Sequence, residues 1–320
     1  MGLKQLLLFG VAAVLLMIPD YGYAGGSPAI KIVIPKIDYP AAGVIGTRVQ
    51  DVNNSGNTDF DLNTAAGAEV GYRPFGGAFI IPQMDPNAVT FTQPDQMNNS
   101  NTMAGDYLDA NGVFHGFTLN SGTFTTFDVS AAGSAFTAAF GINDQGDLAG
   151  EFGAATATVH NESFVVVSGV ETDFDVSGAA GDFATAINNG DVAVGTYSTT
   201  DPLTLEATCG CHGYMRAANG TVTTFDPVGS VSTVPHGLNN KNIVVGRYYD
   251  SGGVVHGFVY FLNHPASSFT YDYPGATQTS LNGINDNGYI AGRYTDSSNV
   301  AHGFIAHLSP GAAGAAHRHK

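Results

Sequence analysis

Along most of the chain, short runs rich in β-branched and aromatic residues alternate with clusters of Asn, Asp, Gly and Ser. Runs of that kind read as strands, and the clusters as the turns that join them. The end of the chain shows the unit most plainly. Residues 280–284 form one run, Asn285, Asp286, Asn287 and Gly288 a turn, residues 289–295 a second run, residues 296–299 another turn, and residues 300–308 a third run. Asn-Gly and Asp-Gly pairs supply the positive φ that a tight hairpin turn demands.

Three signatures recur in fixed order. An apolar residue followed by Asn and a turn stands at Asn53, Asn98, Asn143, Asn188, Asn239 and Asn285, at spacings of 45, 45, 45, 51 and 46 residues. A glycine two residues before an aromatic follows, as in Gly105-Asp106-Tyr107, Gly150-Glu151-Phe152 and Gly292-Arg293-Tyr294. His-Gly-aromatic comes third, at His115, His212, His256 and His302, and is degraded to Gly77-Ala78-Phe79 and Glu162-Ser163-Phe164 elsewhere. A Thr-rich segment ending in aromatic-Asp closes the unit at Asp128, Asp175, Asp226 and Asp272, with Thr90-Phe91-Thr92 as its weaker form in the first copy.

A fixed period of this size marks a repeat architecture. Four antiparallel strands repeated six times predict an all-β fold, a six-bladed β-propeller of four-stranded antiparallel blades. The sixth copy stops after its third run, and the N-terminus holds a spare fourth. Ile32-Val33-Ile34 leading to Ile37-Asp38-Tyr39-Pro40 matches the closing segment of the preceding copy, which ends Tyr271-Asp272-Tyr273-Pro274. Residues 31–39 are therefore expected to pair with residues 300–308, closing the ring and removing two exposed edges. The signatures resemble the HAF-type family of extracellular repeats of secreted bacterial proteins, over nearly the whole chain beyond residue 24. That resemblance implies a propeller outside the cell and brings no assigned chemistry.

Lys4, the apolar residues 6–18 and then Gly22-Tyr23-Ala24 follow the grammar of a secretory signal peptide. The expected division is a signal peptide over 1–24, the propeller over 25–308 and a flexible Gly/Ala/His tail over 309–320. The apolar run falls short of the roughly 20 residues that a membrane-spanning helix needs. No membrane insertion is expected, and the location is secreted, extracellular or periplasmic. Acidic residues outnumber basic ones 27 to 11, which argues against nucleic acid and anionic lipid as partners. Charge is sparse, but a hydrophobic fraction of 43% suffices for a sizeable core.

The four repeat histidines, His115, His212, His256 and His302, occupy matched positions in different copies, so they lie apart around a ring and cannot converge. Each is expected to bond locally to the Asp that ends a fourth strand. The segment from Asp51 to Asp59 has the spacing of a calcium loop: side chains of Asp51, Asn53, Ser55 and Asp59, the carbonyl of Asn57, and Gly56 for the sharp turn. It resembles the loops of FG-GAP-type propellers, although Ser55 replaces the usual Asp and the Ca2+ site would be weak. The other reading is that it is simply the first of six equivalent turns. Cys209 and Cys211 are too close together for zinc ligation; a small-loop disulfide or two thiols fits an oxidising compartment. They end a long loop, residues 198–208, which carries Leu203 and Leu205. This loop, with Cys209 and Cys211, is the candidate binding loop, because diverse loops on a rigid scaffold carry recognition. The residue between Gly and aromatic is Asp106, Glu151, Thr196, Arg247 and Arg293 in successive copies, acidic on one side of the ring and basic on the other. That pattern orients a polar ligand, or it marks solvated positions with no partner.

No Gly-x-Ser-x-Gly elbow, His-Glu-x-x-His or phosphate-binding Gly-Lys loop occurs, and no catalytic residue is assigned. The expected function is a non-enzymatic binding or structural, self-assembling module whose partner is an extracellular glycan, a surface protein or a second copy of itself. The alternative, on fold analogy alone, is a calcium-dependent hydrolase or lactonase with its site at the central channel. The calcium reading predicts that millimolar Ca2+ raises the thermal midpoint relative to EDTA and that Asp51→Ala erases the difference. Equal midpoints in both buffers would leave the loop as a turn.

Overall fold

The structure is a computed structural model that describes residues 28–39, 44–64, 67–73, 77, 80–89, 91–130, 134–154, 161–200 and 209–309. The expected signal peptide and tail lie outside the described residues. A leading strand, β1 (Ala29–Ile37), precedes β2 (Val44–Val52), β3 (Thr58–Thr64), β4 (Gly67–Arg73) and β5 (Ile80–Gln83). The second repeat holds β6 (Thr92–Met97), β7 (Met103–Leu108), β8 (Phe114–Asn120) and β9 (Thr123–Phe127); the third holds β10 (Ser134–Ile142), β11 (Leu148–Ala154), β12 (Asn161–Val167) and β13 (Val170–Phe174). β14 (Gly181–Ile187), β15 (Ala193–Ser198), β16 (His212–Arg216) and β17 (Val222–Phe225) follow, then β18 (Ser232–Leu238), β19 (Ile243–Tyr249), β20 (Val255–Phe261) and β21 (Phe269–Tyr271). The last described strands are β22 (Gln278–Ile284), β23 (Tyr289–Thr295) and β24 (Ala301–Ser309).

These strands form a β-propeller of four-stranded antiparallel blades, but hydrogen bonding divides them into five sheets rather than the six expected. Four sheets have four strands each; the fifth has eight, in the order β22-β23-β24-β2-β3-β4-β5 with β1 also on β24. The physical reason is one parallel pair, Gly46 with Ala301, which joins the first and last repeats. β1 runs antiparallel to β24, with Ile30 opposite Leu308 and Ile37 opposite Gly303. His302 Nδ1 then lies 2.8 Å from Asp38 just beyond β1.

The first repeat also departs from the sequence reading. Asn63 and Thr64 pair with Ala68 and Gly67 across a two-residue connection, so its third strand begins early and β5 is its fourth. Thr92, expected in that closing strand, starts the inner strand of the next repeat.

Apolar packing is divided into wedges between neighbouring repeats. Leu148, Phe152 and Phe164 of the third repeat meet Ala104 of the second; Leu238, Val244 and Phe258 of the fifth meet Ala186 and Val194 of the fourth. Ile37, Val49 and Val52 meet Ala291 and Ile305 where the first and last repeats come together. The Gly-x-aromatic signature serves this packing: a Cβ at Gly150 would run into the Ala138 carbonyl and sit 2.8 Å from the Phe164 ring.

The six turn asparagines link the repeats. Asn53 Nδ2 donates to the Asn98 carbonyl, Asn98 to Asn143, Asn143 to Asn188, Asn188 to Asn239, Asn239 to Asn285, and Asn285 back to Asn53, at 2.8 to 3.3 Å. Each Oδ1 also closes its own turn; that of Asn143 accepts the amides of Gln145 and Asp147. A second circuit runs through the next residue, from the Asn54 amide to Asn99 Oδ1 and onward through Asp144, Asn189, Asn240 and Asp286 back to Asn54. Three residues after each turn asparagine the backbone takes a positive φ, held by Gly56, Asn101, Gly146, Asp191, Asn242 and Gly288, the residue types that tolerate it best.

Asn143→Ala would leave the Asn188 carbonyl and two turn amides short of a partner. At about 1–3 kcal/mol for a buried polar group left unpaired, calorimetry should show the thermal midpoint falling by several degrees. Asn189→Ala, in the exposed second circuit, should lower it less.

Candidate functional site: a two-tiered channel cavity

The inner strand of every repeat slips register at the same place, between Val49 and Asp51, Pro94 and Gln96, Ala139 and Gly141, Ala184 and Ala186, Pro235 and Gly237, and Leu281 and Gly283. A bulge of this kind re-aims the extra side chain. The extra residues are Gln50, Asp95, Phe140, Thr185, His236 and Asn282, each three before its turn asparagine, and all six line one cavity of about 290 Å3.

A second tier stands two residues further from the asparagine circuit. Arg48, Gln93 and Phe183 reach the cavity from the inner strand itself. In the other three repeats the inner residue is the smaller Ala138, Val234 or Ser280, and the residue paired with it on the next strand takes its place: Glu151, Arg247 or Arg293. Asn161, at the start of β12, completes the wall. Glu151, Arg247 and Arg293 stand out in the sequence as acidic on one side of the ring and basic on the other. The lower tier does not; its signal was the fixed offset from each turn asparagine combined with six different side chains.

Charge is sorted by sector. Asp95 and Glu151 stand in the second and third repeats; Arg247, Arg293 and Arg48 stand in the fifth, sixth and first. In the order of the asparagine circuit the second repeat faces the fifth and the third faces the sixth, so acids face bases across the channel. Phe140 and Phe183 lie between, with ring centroids 5.7 Å apart. Arg48 is ion-paired with the fully buried Asp61. Arg247 Nη1 lies 2.6 Å from His236 Nε2; the guanidinium donates, and burial together with Arg247 and Arg293 holds His236 neutral, well below the usual histidine range. Asp95 Oδ1 accepts from Gln93 at 3.1 Å, while its buried Oδ2 and the Oδ1 of Asn161 have no hydrogen-bond partner. Burial, and then the charges of Asp106, Asp61 and Asp59, push the Asp95 carboxyl well up.

The proposed calcium residues fall beside this cavity, in the first turn. Asp51 accepts the amides of Val52 and Met97 and donates its own amide to Asp59 Oδ1. Asn53 Oδ1 accepts the amides of Ser55 and Asn57, and its Nδ2 donates to Asn98 and Asn101. Asn53 thus holds the same place as the other five turn asparagines. Among the described residues, no group of three or more His, Cys, Asp or Glu side chains is arranged to hold a metal ion.

The histidines remain separate, each beside the carboxylate that ends a fourth strand: His115 Nδ1 at 2.8 Å from Asp128, His212 at 2.7 Å from Asp226, and His256 at 2.9 Å from Asp272. Each also packs on an aromatic of its neighbouring strand, as His115 does on Tyr107. Cys209 and Cys211 are joined by a disulfide and are buried. The Cys211 carbonyl accepts the Thr233 amide, tying the pair to the next repeat. Leu203 and Leu205 of the candidate binding loop lie outside the described residues.

No family model matches the sequence, and no curated protein does. Solved structures share the fold at low identity. A TolB-like protein from Agrobacterium tumefaciens matches at 12% identity over 89% of this chain and 99% of that one, with a TM-score of 0.55. AofleA from Arthrobotrys oligospora matches at 11% over 89% and 90%, with a TM-score of 0.53. The Aleuria aurantia lectin, solved with Fucα1-6GlcNAc, matches at 11% over 87% and 96%, with a TM-score of 0.51.

Carboxylates behind the cavity give the protein a pH signature. Burial raises Asp59 to about 7 and Asp106 to about 7, above the roughly 3.9 of an unfolded Asp. The native state therefore keeps protons that the unfolded chain has released, so their contribution is fully present below about pH 4 and is lost as pH rises through about 7. The thermal midpoint should fall across that window. Asp59→Asn, which retains the Oδ1 acceptor for the Asp51 amide, should flatten the fall and raise the midpoint above pH 7.

Proposed function

We propose that this protein is a secreted, non-enzymatic binding propeller that holds a small polar ligand in its central channel. The observation that carries the reading is the bulge ring. Six repeats keep the same asparagine and the same turn, and five keep the same packing glycine, which Phe60 replaces in the first, yet at one bulged position they present Gln50, Asp95, Phe140, Thr185, His236 and Asn282. Folding alone asks for no such variety; a ligand contacted from all sides does. In this reading the eight-stranded sheet counts as two blades meeting at Gly46 and Ala301, which makes six, and β1 is the outer strand of the last.

The asparagine circuit narrows one end of the channel to a pocket of about 60 Å3. The charged tier lies on the other side, toward the connections that enter the inner strands. The expected binding face is therefore the same side as the diverse loops, with the channel rather than residues 198–208 at its centre. Binding is favoured over hydrolysis by His236: its Nε2 lone pair is engaged by Arg247, so the one histidine in the cavity is not free to take a proton. The lectin of similar fold solved with a fucosylated disaccharide supports a saccharide among the ligands to try.

The test is a thermal-shift panel of saccharides, amino acids, short peptides and cell-envelope fragments against the wild type and Thr185→Trp, whose indole would fill the cavity. Gln50→Trp serves the same purpose if Thr185→Trp unfolds. A ligand that stabilises the wild type and not the filled variants is expected. Binding that survives filling would move the site to the loops.

A further inference from the structure

The cavity has two features that a neutral saccharide would not use. Its acids and bases stand in opposite sectors, and an apolar wall separates them along one side. Asp95 and Glu151 face Arg247 and Arg293 across the channel, with Phe140 and Phe183 between. Two of the acceptors on the acidic side, Asp95 Oδ2 and Asn161 Oδ1, are shielded from solvent and make no hydrogen bond. A buried acceptor left unpaired costs free energy that a donor would recover.

From this geometry we propose that the ligand is a small zwitterion with an apolar side group, of the class of free α-amino acids: its ammonium set against Asp95, Glu151 and Asn161, its carboxylate against Arg247 and Arg293, and its side group on the two phenylalanines. This rests on the channel reading above and names its ligand class. The two charges meet walls of opposite sign at once, so each end of the ligand enters the channel beside its own counter-charge. Arg48 is engaged by Asp61, a carboxyl on which the Arg293 charge also bears. His236 supports the carboxylate side indirectly: neutral and accepting from Arg247, it holds that guanidinium in position without adding charge. An ammonium is also the neighbour that returns full charge to Asp95, whose carboxyl burial otherwise pushes up. At about 290 Å3, the cavity sits at the lower end of the roughly 300–1,000 Å3 of small-molecule sites. That suits one amino acid rather than a long chain.

A matched set of probes separates the charges: L-phenylalanine carries both, phenethylamine only the ammonium, and 3-phenylpropanoate only the carboxylate. Isothermal titration calorimetry on the wild type should show L-phenylalanine binding at least about tenfold more tightly than either analogue, as the loss of one charged hydrogen-bonding partner implies. Asp95→Asn and Glu151→Gln should remove the advantage over 3-phenylpropanoate and keep that over phenethylamine. Arg293→Gln should do the reverse. Thermal melts check that each variant is folded. Equal affinity for the three probes, or a loss in the variants that ignores which charge the probe carries, overturns the zwitterion. If none of the three binds while another panel compound still binds in a manner abolished by Thr185→Trp, the zwitterion fails and the channel site stands; if no cavity-sensitive binding occurs at all, both fail.

Discussion

A side-chain amide handed from one repeat to the next is the contact on which the molecule turns. Each asparagine in the circuit uses its oxygen to close its own turn and its nitrogen to hold the neighbour's backbone. Both halves of the amide are therefore committed, and neither Asp nor Gln could replace it without losing one bond or the reach. The contact is head-to-tail, like a heterologous interface between subunits, and such contacts close into a ring only when the rotation per step is right. Here the sixth donor returns to the first acceptor, Asn285 to Asn53 at 2.8 Å, so no repeat is left with an unmatched end.

Pinning one end of every inner strand frees the rest of it. The apolar wedges, with glycines admitting Phe164 or Phe258 against the backbone, lie between repeats and away from the axis. Stability is thus supplied at the flanks, and the axis can afford charge. The bulge three residues before each asparagine turns this freedom into a cavity wall. Side chains at the bulges line that cavity instead of the apolar wedges.

The repeat was legible because turn chemistry leaves fixed marks: an asparagine that caps, a residue with positive φ, a glycine that admits an aromatic. For the same reason residues 289–295 were placed correctly as a strand, and the match of Asp38 to Asp272 pointed to the partner of His302. What could not be read was anything decided by a neighbour in space. The division into five sheets hangs on a single pair, Gly46 with Ala301. The bulges leave the sequence alternation almost untouched, so Asp95 and His236 looked like ordinary strand positions. The early third strand of the first repeat was hidden because its connection is too short to display a turn cluster. Whether Cys209 and Cys211 bridge was open on composition and closed by geometry.

The pairing of β1 with β24 has a consequence for how the chain reaches this state. β1 needs β24, which comes only after all the intervening repeats, as its partner, so it must wait, unpaired, while they are made. Contacts of such sequence separation slow folding, and an unpaired strand is the part most exposed to wrong partners meanwhile. Lys31 and Lys36 are set among isoleucines on that strand, and lysines so placed are the kind of residue that guards an unpaired strand against wrong pairing. The propeller is in this sense a latch: its repeats can assemble in order, but it locks only when β24 arrives.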